Sequence, residues 1–223
     1  MLIVRKKFVI AILAVIALAS TIALILAMPS CGNRLGFKVD FYYVCYETPT
    51  NSHSASSMSS VVHSYGGAGY VVESGGDYYV TVSCYYNEQD ALSVSRALGA
   101  KGLECKVVKV TAGDYKLHSY DVGAGEKYLG NLNTMLSLSK MCYNLANSLD
   151  DGSCGQSSAK TVLGDVSTAL SSLLRQNTSN CFARSLSYLV GECNDTAYGI
   201  ILSRDVRRLQ IVIIDEIVNI NLR

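Results

Sequence analysis

Residues 36–111 carry one pattern twice, and that pattern restricts the fold more than any other feature of the chain. Phe41 to Thr48 (FYYVCYET) is aromatic-rich and extended in character, as strands prefer. Pro49 ends it, and Thr50 or Ser52 can cap a helix with Ala55, Met58, Val62 and Tyr65 on one face. That helix is rich in serine, so packing must hold it. Gly66-Gly67 stops it, Ala68 to Glu73 makes a second strand, and Ser74-Gly75-Gly76-Asp77 turns tightly into Tyr78 to Tyr85. Asn87 then caps a second helix with Ala91, Val94 and Leu98 in line. Gly102 ends that helix, and Leu103 to Val110 is a fourth strand. Tyr42-Tyr43-Val44 matches Tyr79-Val80-Thr81, and the helix-ending Gly67 matches Gly102. Two strand–helix–strand units joined by a hairpin predict one antiparallel sheet with both helices on one side. The other side is expected to lie open to solvent or ligand.

After residue 111 the periodicity changes. Residues 112–125 lack a repeat and read as a linker, and from Glu126 the apolar positions follow a helical period. Tyr128, Leu132, Met135, Cys142, Leu145 and Leu149 stripe one helix, which Asp151-Gly152 ends. Val162, Val166, Ala169 and Leu173 stripe a second, and Phe182, Leu186 and Leu189 a third that Gly191 closes. Asp195 or Thr196 can cap a fourth, with Leu202, Val206, Leu209, Ile213, Ile217 and Ile220 facing inward. The expected fold class is therefore α+β: a βαββαβ ferredoxin-like unit, then a helical bundle over residues 126–223. Residues 36–111 are expected to fold without the bundle, with marginal stability for so small a core.

The N-terminus sets the compartment. Residues 1–7 form a basic stub, and Phe8 to Met28 runs for 21 residues without a charge. At 1.5 Å per residue that run spans roughly 30 Å, the hydrocarbon thickness of a bilayer. Arg5, Lys6 and Lys7 precede it and no Lys or Arg follows until Arg34, which predicts the N-terminus inside and the rest outside the cytoplasm. A cleaved signal peptide has a shorter apolar core, and Met28-Pro29-Ser30-Cys31 is a loose match to a lipoprotein cleavage site. An uncleaved, single-pass anchor is the expected state; every one of these readings exports the remainder.

Composition removes several functions. With Arg5, Lys6 and Lys7 set apart, the remaining basic residues are fewer than the 18 acidic ones, so no concentrated basic face exists for nucleic acid. The eight cysteines, Cys31, Cys45, Cys84, Cys105, Cys142, Cys154, Cys181 and Cys193, contain no C-x-x-C pair, which argues against zinc and thioredoxin-like sites. Cys142 with Cys154, or Cys181 with Cys193, could close a helical hairpin, whereas Cys45, Cys84 and Cys105 fit buried thiols. His53 and His63 are out of phase on a helix, His118 stands alone, and no G-x-S-x-G elbow occurs. Asp150-Asp151 and Asp215-Glu216 are chain neighbours whose side chains diverge. No catalytic residues, metal or cofactor are expected.

The strand tyrosines point to a surface instead. Strict alternation sets Tyr42, Val44 and Tyr46, with Tyr79, Thr81, Ser83 and Tyr85, on one side of the sheet. Phe41, Tyr43 and Cys45, with Tyr78, Val80, Val82 and Cys84, form the more apolar set that should meet the helices. A face of rings and hydroxyls suits the apolar C–H faces and polar rims of sugars. The plainer alternative is that tyrosines serve strand propensity and cross-strand packing.

The segment GGAGYVVESGGDYYVTVSCYYNEQDALSVSRALGAKGLECKVVKV resembles a SPOR domain, the sporulation-related repeat of bacterial envelope proteins. The Gly66–Tyr70 run, the alternating Tyr79-Val80-Thr81-Val82-Ser83 strand, the Asn87-Glu88-Gln89-Asp90-Ala91 helix start and the Lys101-Gly102 stop carry the resemblance. It implies a βαββαβ fold in a single-pass cell-envelope protein whose sheet binds peptidoglycan glycan strands stripped of stem peptides. Cell division or sporulation is the setting it implies. The glycan-binding residues it implies here are Tyr42, Val44, Tyr46, Tyr79, Thr81 and Ser83. Val44 and Thr81 stand where the family often carries Gln. The alternative is an envelope scaffold that binds a protein partner through its helical region, without glycan.

Overall fold

The structure, a computed structural model, describes residues 35–46, 52–74, 76–113, 115, 122–177 and 182–220. The expected anchor at 8–28 and the 1–7 stub lie outside them. Among the described residues no helix is long and apolar enough to cross a membrane.

Four strands, β1 (Lys38–Cys45), β2 (Tyr70–Ser74), β3 (Asp77–Tyr85) and β4 (Lys106–Gly113), form one antiparallel sheet in the order β2-β3-β1-β4. Helix α1 (Ser52–Ser64) joins β1 to β2, and α2 (Glu88–Gly99) joins β3 to β4. This is the split βαβ arrangement that the duplicated sequence predicts. Its local signals act as expected. Asn87 Oδ1 accepts from the Gln89 amide at 2.8 Å, and Glu88 and Asp90 sit in the first turn, where the helix dipole favours acid. Gly76 takes φ +87° in the two-residue turn between Ser74 and Asp77, a conformation that costs a side chain energy. Gly69, at φ +59°, lets the chain pass close beneath α1: a Cβ there would stand 2.4 Å from His63 Nε2. That nitrogen donates to the Ala68 carbonyl at 2.9 Å, so His63 is a packing residue rather than a free surface histidine.

Helices α3 (Val122–Asp150), α4 (Gln156–Gln176), α5 (Phe182–Ala197) and α6 (Ser203–Asn219) follow. Four helices were expected, with three boundary differences. The 112–125 linker is shorter, because Ala112 and Gly113 still pair with β1 and α3 begins at Val122. Gly191 does not close α5. It occupies an exposed position, and burying Cys193, one turn beyond Leu189, outweighs the roughly 1 kcal/mol that a helical glycine costs. Asp195 and Thr196 consequently lie inside α5, and α6 starts after Leu202 with no side-chain cap.

The larger correction concerns the sheet faces. β1 and β3 pair Tyr42 with Tyr85, Tyr43 with Cys84 and Val44 with Ser83, but then Cys45 with Thr81. Val82 is the extra residue of a β-bulge, and strict alternation breaks there. Val44, Val80, Val82 and Tyr85 therefore pack with Ala55 and Val62 of α1, Ala91 of α2 and Leu103. On the opposite face Phe41, Tyr43, Cys45, Val72, Cys84 and Val110 belong to one core with the four C-terminal helices. The helix laid on that face is α6, which contacts β2, β3 and β4. Its Ile211, Val212, Ile213 and Ile214 are all buried, so the middle turn of this helix is enclosed on every side, while Arg204, Asp205 and Asn219 nearer its ends reach solvent. Gln210 Nε2 donates to the Cys84 carbonyl at 3.0 Å, and the Tyr115 hydroxyl donates to the Ile217 carbonyl. Both faces of the sheet are covered, so the expected open face does not exist. The boundary near residue 112 separates two sequence patterns that share one core.

Candidate functional site

The six sequence candidates do not converge. Tyr42, Val44 and Tyr46 pack toward α1 and α2, and Ser83, paired with Val44, follows them. Tyr79 packs on the other side, and Thr81 pairs there with Cys45 and Tyr70. Val44 and Thr81 are 0% exposed and Ser83 4%, so none of the three can touch a bulky ligand. The Thr81 hydroxyl is spent within the sheet, donating to the Tyr70 carbonyl at 2.7 Å. The exposed parts of the two rings are taken by lysines: Lys109 Nζ lies 5.9 Å from the Tyr42 ring and Lys106 Nζ 5.0 Å from that of Tyr79. Lys109 also pairs with Asp40 at 2.8 Å, which holds the Asp40 carboxyl below its ordinary range together with the Thr111 hydroxyl.

The other chemistry-bearing groups are spent on structure. Asp150 pairs with Arg207, and Asp151 Oδ1 accepts from the Ser153 amide at 2.8 Å. Cys45, Cys84, Cys105, Cys142, Cys154 and Cys193 are free thiols, so the Cys142–Cys154 bridge does not form; Cys181, the other half of the second candidate bridge, lies outside the described residues. Burial pushes the Cys45 thiol up to about 12 and that of Cys193 to about 11, which keeps both protonated and poorly nucleophilic at neutral pH. Among the described residues, no group of three His, Cys, Asp or Glu side chains is placed to hold a metal. His118 lies outside them.

What the surface does present is a fixed apolar tip. The connection between α5 and α6 reads Tyr198-Gly199-Ile200-Ile201-Leu202. Ile201 is buried, while Tyr198 is 89%, Ile200 77% and Leu202 41% exposed. Gln156, at the start of α4, clamps the tip from both sides. Its Nε2 donates to the Ile201 carbonyl at 2.8 Å, and its Oε1 accepts from the Ile201 amide at 2.8 Å. One aliphatic side chain is thus plugged into the core and three apolar neighbours are held outward, with much of the ordering entropy already spent. Sequence reasoning missed this feature by assigning residues 195–202 to the next helix. Its signal was an apolar run between two amphipathic stripes, where a connection is normally polar.

A second unassigned feature is a polar chain along the β2 edge. The Tyr70 hydroxyl donates to Asp215 Oδ2 at 3.0 Å, and Asn219 Nδ2 donates to Asp215 Oδ1 at 2.8 Å. Arg208 lies over the Tyr70 ring, 5.9 Å from its centre, and pairs with Glu192 of α5. Burial raises Asp215 to about 6, with Glu216 adding to the rise and the Tyr70 and Asn219 donors opposing it.

Among the described residues, fold and surface define an α+β protein with a sheet covered on both faces and an exposed apolar projection at the α5–α6 connection. No protein-family model matches the chain, nor does any curated protein or solved structure.

Proposed function

We propose that this chain is a single-pass, membrane-anchored envelope protein that works outside the cytoplasm as a scaffold. It grips a protein partner through its helical region rather than glycan through its sheet. The observation that carries this reading is the closed sheet. A sugar platform needs a free face, and here α6 fills one face while α1 and α2 fill the other. The contact surface is the Tyr198, Ile200 and Leu202 tip. An aromatic ring flanked by aliphatic side chains on a stiff backbone is the composition of an interface anchor. Full burial of such side chains is worth about 1.5–3 kcal/mol each, enough for a binding centre but small against a complete interface. The βαββαβ unit is the mount that fixes α6 and hence the tip.

The rival is the SPOR-type role in cell division or sporulation, with glycan strands as partner. Purified cell-wall sacculi, before and after amidase treatment, separate the two. The full chain in detergent should not be retained on either preparation. In cells, a photocrosslinking residue at Ile200 should give one adduct of discrete mass, and the same residue at exposed Lys101 should not. Saturable retention on amidase-treated sacculi would overturn the scaffold reading in favour of glycan.

A further inference from the structure

The two edges of the sheet are unlike each other. The β2 edge is five residues long, and its strand is tied to α6 through Tyr70 and Asp215. The β4 edge runs for eight residues, with no proline and an unbroken register against β1. Proteins ordinarily keep such an edge short, bulged or covered, because its outward row of backbone groups is a template for another strand. That row can be assigned here. Tyr46, next after β1, donates its amide to the Val80 carbonyl of β3, so even-numbered residues of β1 turn their backbone groups toward β3 and odd-numbered ones toward β4. Lys106, Val108, Val110 and Ala112, the partners of the odd-numbered residues, therefore point theirs inward. Val107, Lys109, Thr111 and Gly113 point theirs outward. Among the described residues no strand or loop backbone pairs with that outward row.

We propose that β4 is a self-association edge: two copies of the chain pair their β4 strands antiparallel about a two-fold axis at Val110, joining two four-stranded sheets into one. Charge selects the register. A two-fold that keeps every side chain on its own side of the sheet passes through a residue, and the axes at Lys109 and Val110 give the longest overlaps, residues 106–112 and 107–113. The first sets Lys109 against the partner's Lys109, an unfavourable like-charge pair. The second sets Lys109 against the partner's Thr111. Thr111 donates to Asp40 Oδ1 at 2.6 Å, and Lys109 Nζ lies 2.8 Å from Asp40 Oδ2. One face of the seam then reads Asp40, Thr111, the partner's Lys109 and the partner's Tyr42, with the same row reversed beside it, so each carboxylate gains a second ammonium. On the α6 side Val110 meets the partner's Val110, and Val108 meets the partner's Ala112, apolar cross-strand contacts that favour pairing. The other edge lysine, Lys106, lies over the Tyr79 ring and falls outside residues 107–113, so it does not obstruct the ladder. This pairing goes beyond the scaffold reading and does not depend on it.

Sedimentation equilibrium of the full chain in density-matched detergent tests this. The wild type should sediment as a dimer at micromolar concentration. Thr111→Pro removes an outward amide and no bond to β1, so the fold should survive, with circular dichroism as the check. Its dimer should dissociate at least about tenfold more readily, since ladder bonds are lost on both sides of the axis. Lys109→Glu sets a carboxylate beside both copies of Asp40 and should weaken the dimer as well. Adding Asp40→Lys to the same chain restores the alternation of charge and should bring the dimer back. Should Thr111→Pro fail to fold, Lys109→Glu and its rescue decide alone. A monomeric wild type, or a dimer that Thr111→Pro and Lys109→Glu leave untouched, would overturn the edge pairing. In the second case, loss of the dimer in Ile200→Ser would place the contact at the apolar tip instead.

Discussion

Residues 36–111 produced alone should not unfold cooperatively, because they should not be folded. Excision removes α6 and leaves Phe41, Tyr43, Cys45, Val72, Cys84 and Val110, all buried in the intact chain, facing water. Burying a large apolar side chain is worth about 1.5–3 kcal/mol, so these positions together forfeit on the order of 10 kcal/mol. A whole domain has about 5–15 kcal/mol of net stability, and a fragment this short starts near the low end. The sequence suggests the opposite, since β1, α1, β2, β3, α2 and β4 complete a recognisable unit. Denaturant titration followed by near-ultraviolet circular dichroism decides the matter. The fragment should show no sigmoidal transition and should bind a hydrophobic dye, whereas residues 34–223 should unfold in one step. A cooperative transition in the isolated fragment would show that the bundle rests on the sheet without completing it.

Truncation on either face of β1 should destabilise the protein. Phe41 is fully buried on the α6 side, its ring edge-on to Tyr86 at 5.9 Å, and Phe41→Ala should cost about 3–5 kcal/mol. Val44 is fully buried on the α1 and α2 side, and Val44→Ala should cost about 2 kcal/mol from the lost methyl groups. An open sheet predicts something else: one of the two changes is nearly free, as surface substitutions usually are. The Phe41→Ala loss should appear as a lower midpoint of thermal unfolding for the whole chain rather than as an early transition of one half. The two cores meet at the sheet and share its strands.

Much of the architecture is readable from the residues. The hairpin glycines, the Asn87 cap and the apolar stripes of α3 to α6 are local signals, and each produced the element it predicts. The sheet order follows from the duplication. The placement of candidate residues was not readable, for two physical reasons. A bulge changes which side a residue faces at the cost of one unpaired position, and nothing in Tyr79–Tyr85 marks Val82 as that position. Nor does a strand with apolar residues on both sides announce which side meets a helix inside its own unit and which meets one from the far end of the chain. Phe41, Tyr43 and Cys45 were correctly apolar and wrongly assigned, because α6 rather than α1 or α2 covers them. With hindsight the Ile211-Val212-Ile213-Ile214 run carries the clue. A helical turn that is apolar all round needs neighbours on every side, and the sheet supplies one of them. The tip escaped notice because an apolar run beside a helical stripe reads as more helix.

The central claim, that the helical region closes the sheet, is tested most directly by the thiols of the strands themselves. Cys45 of β1 and Cys84 of β3 are both 0% exposed on the α6 side, whereas Cys154 is partly exposed between α3 and α4. A small thiol reagent added to the native full chain, with the modified positions mapped by mass spectrometry, should label Cys154 early. Cys45 and Cys84 should be labelled only at the rate of global unfolding. Labelling of Cys45 and Cys84 as fast as Cys154, in a protein whose circular dichroism is unchanged, would mean that the face is open and the account is wrong.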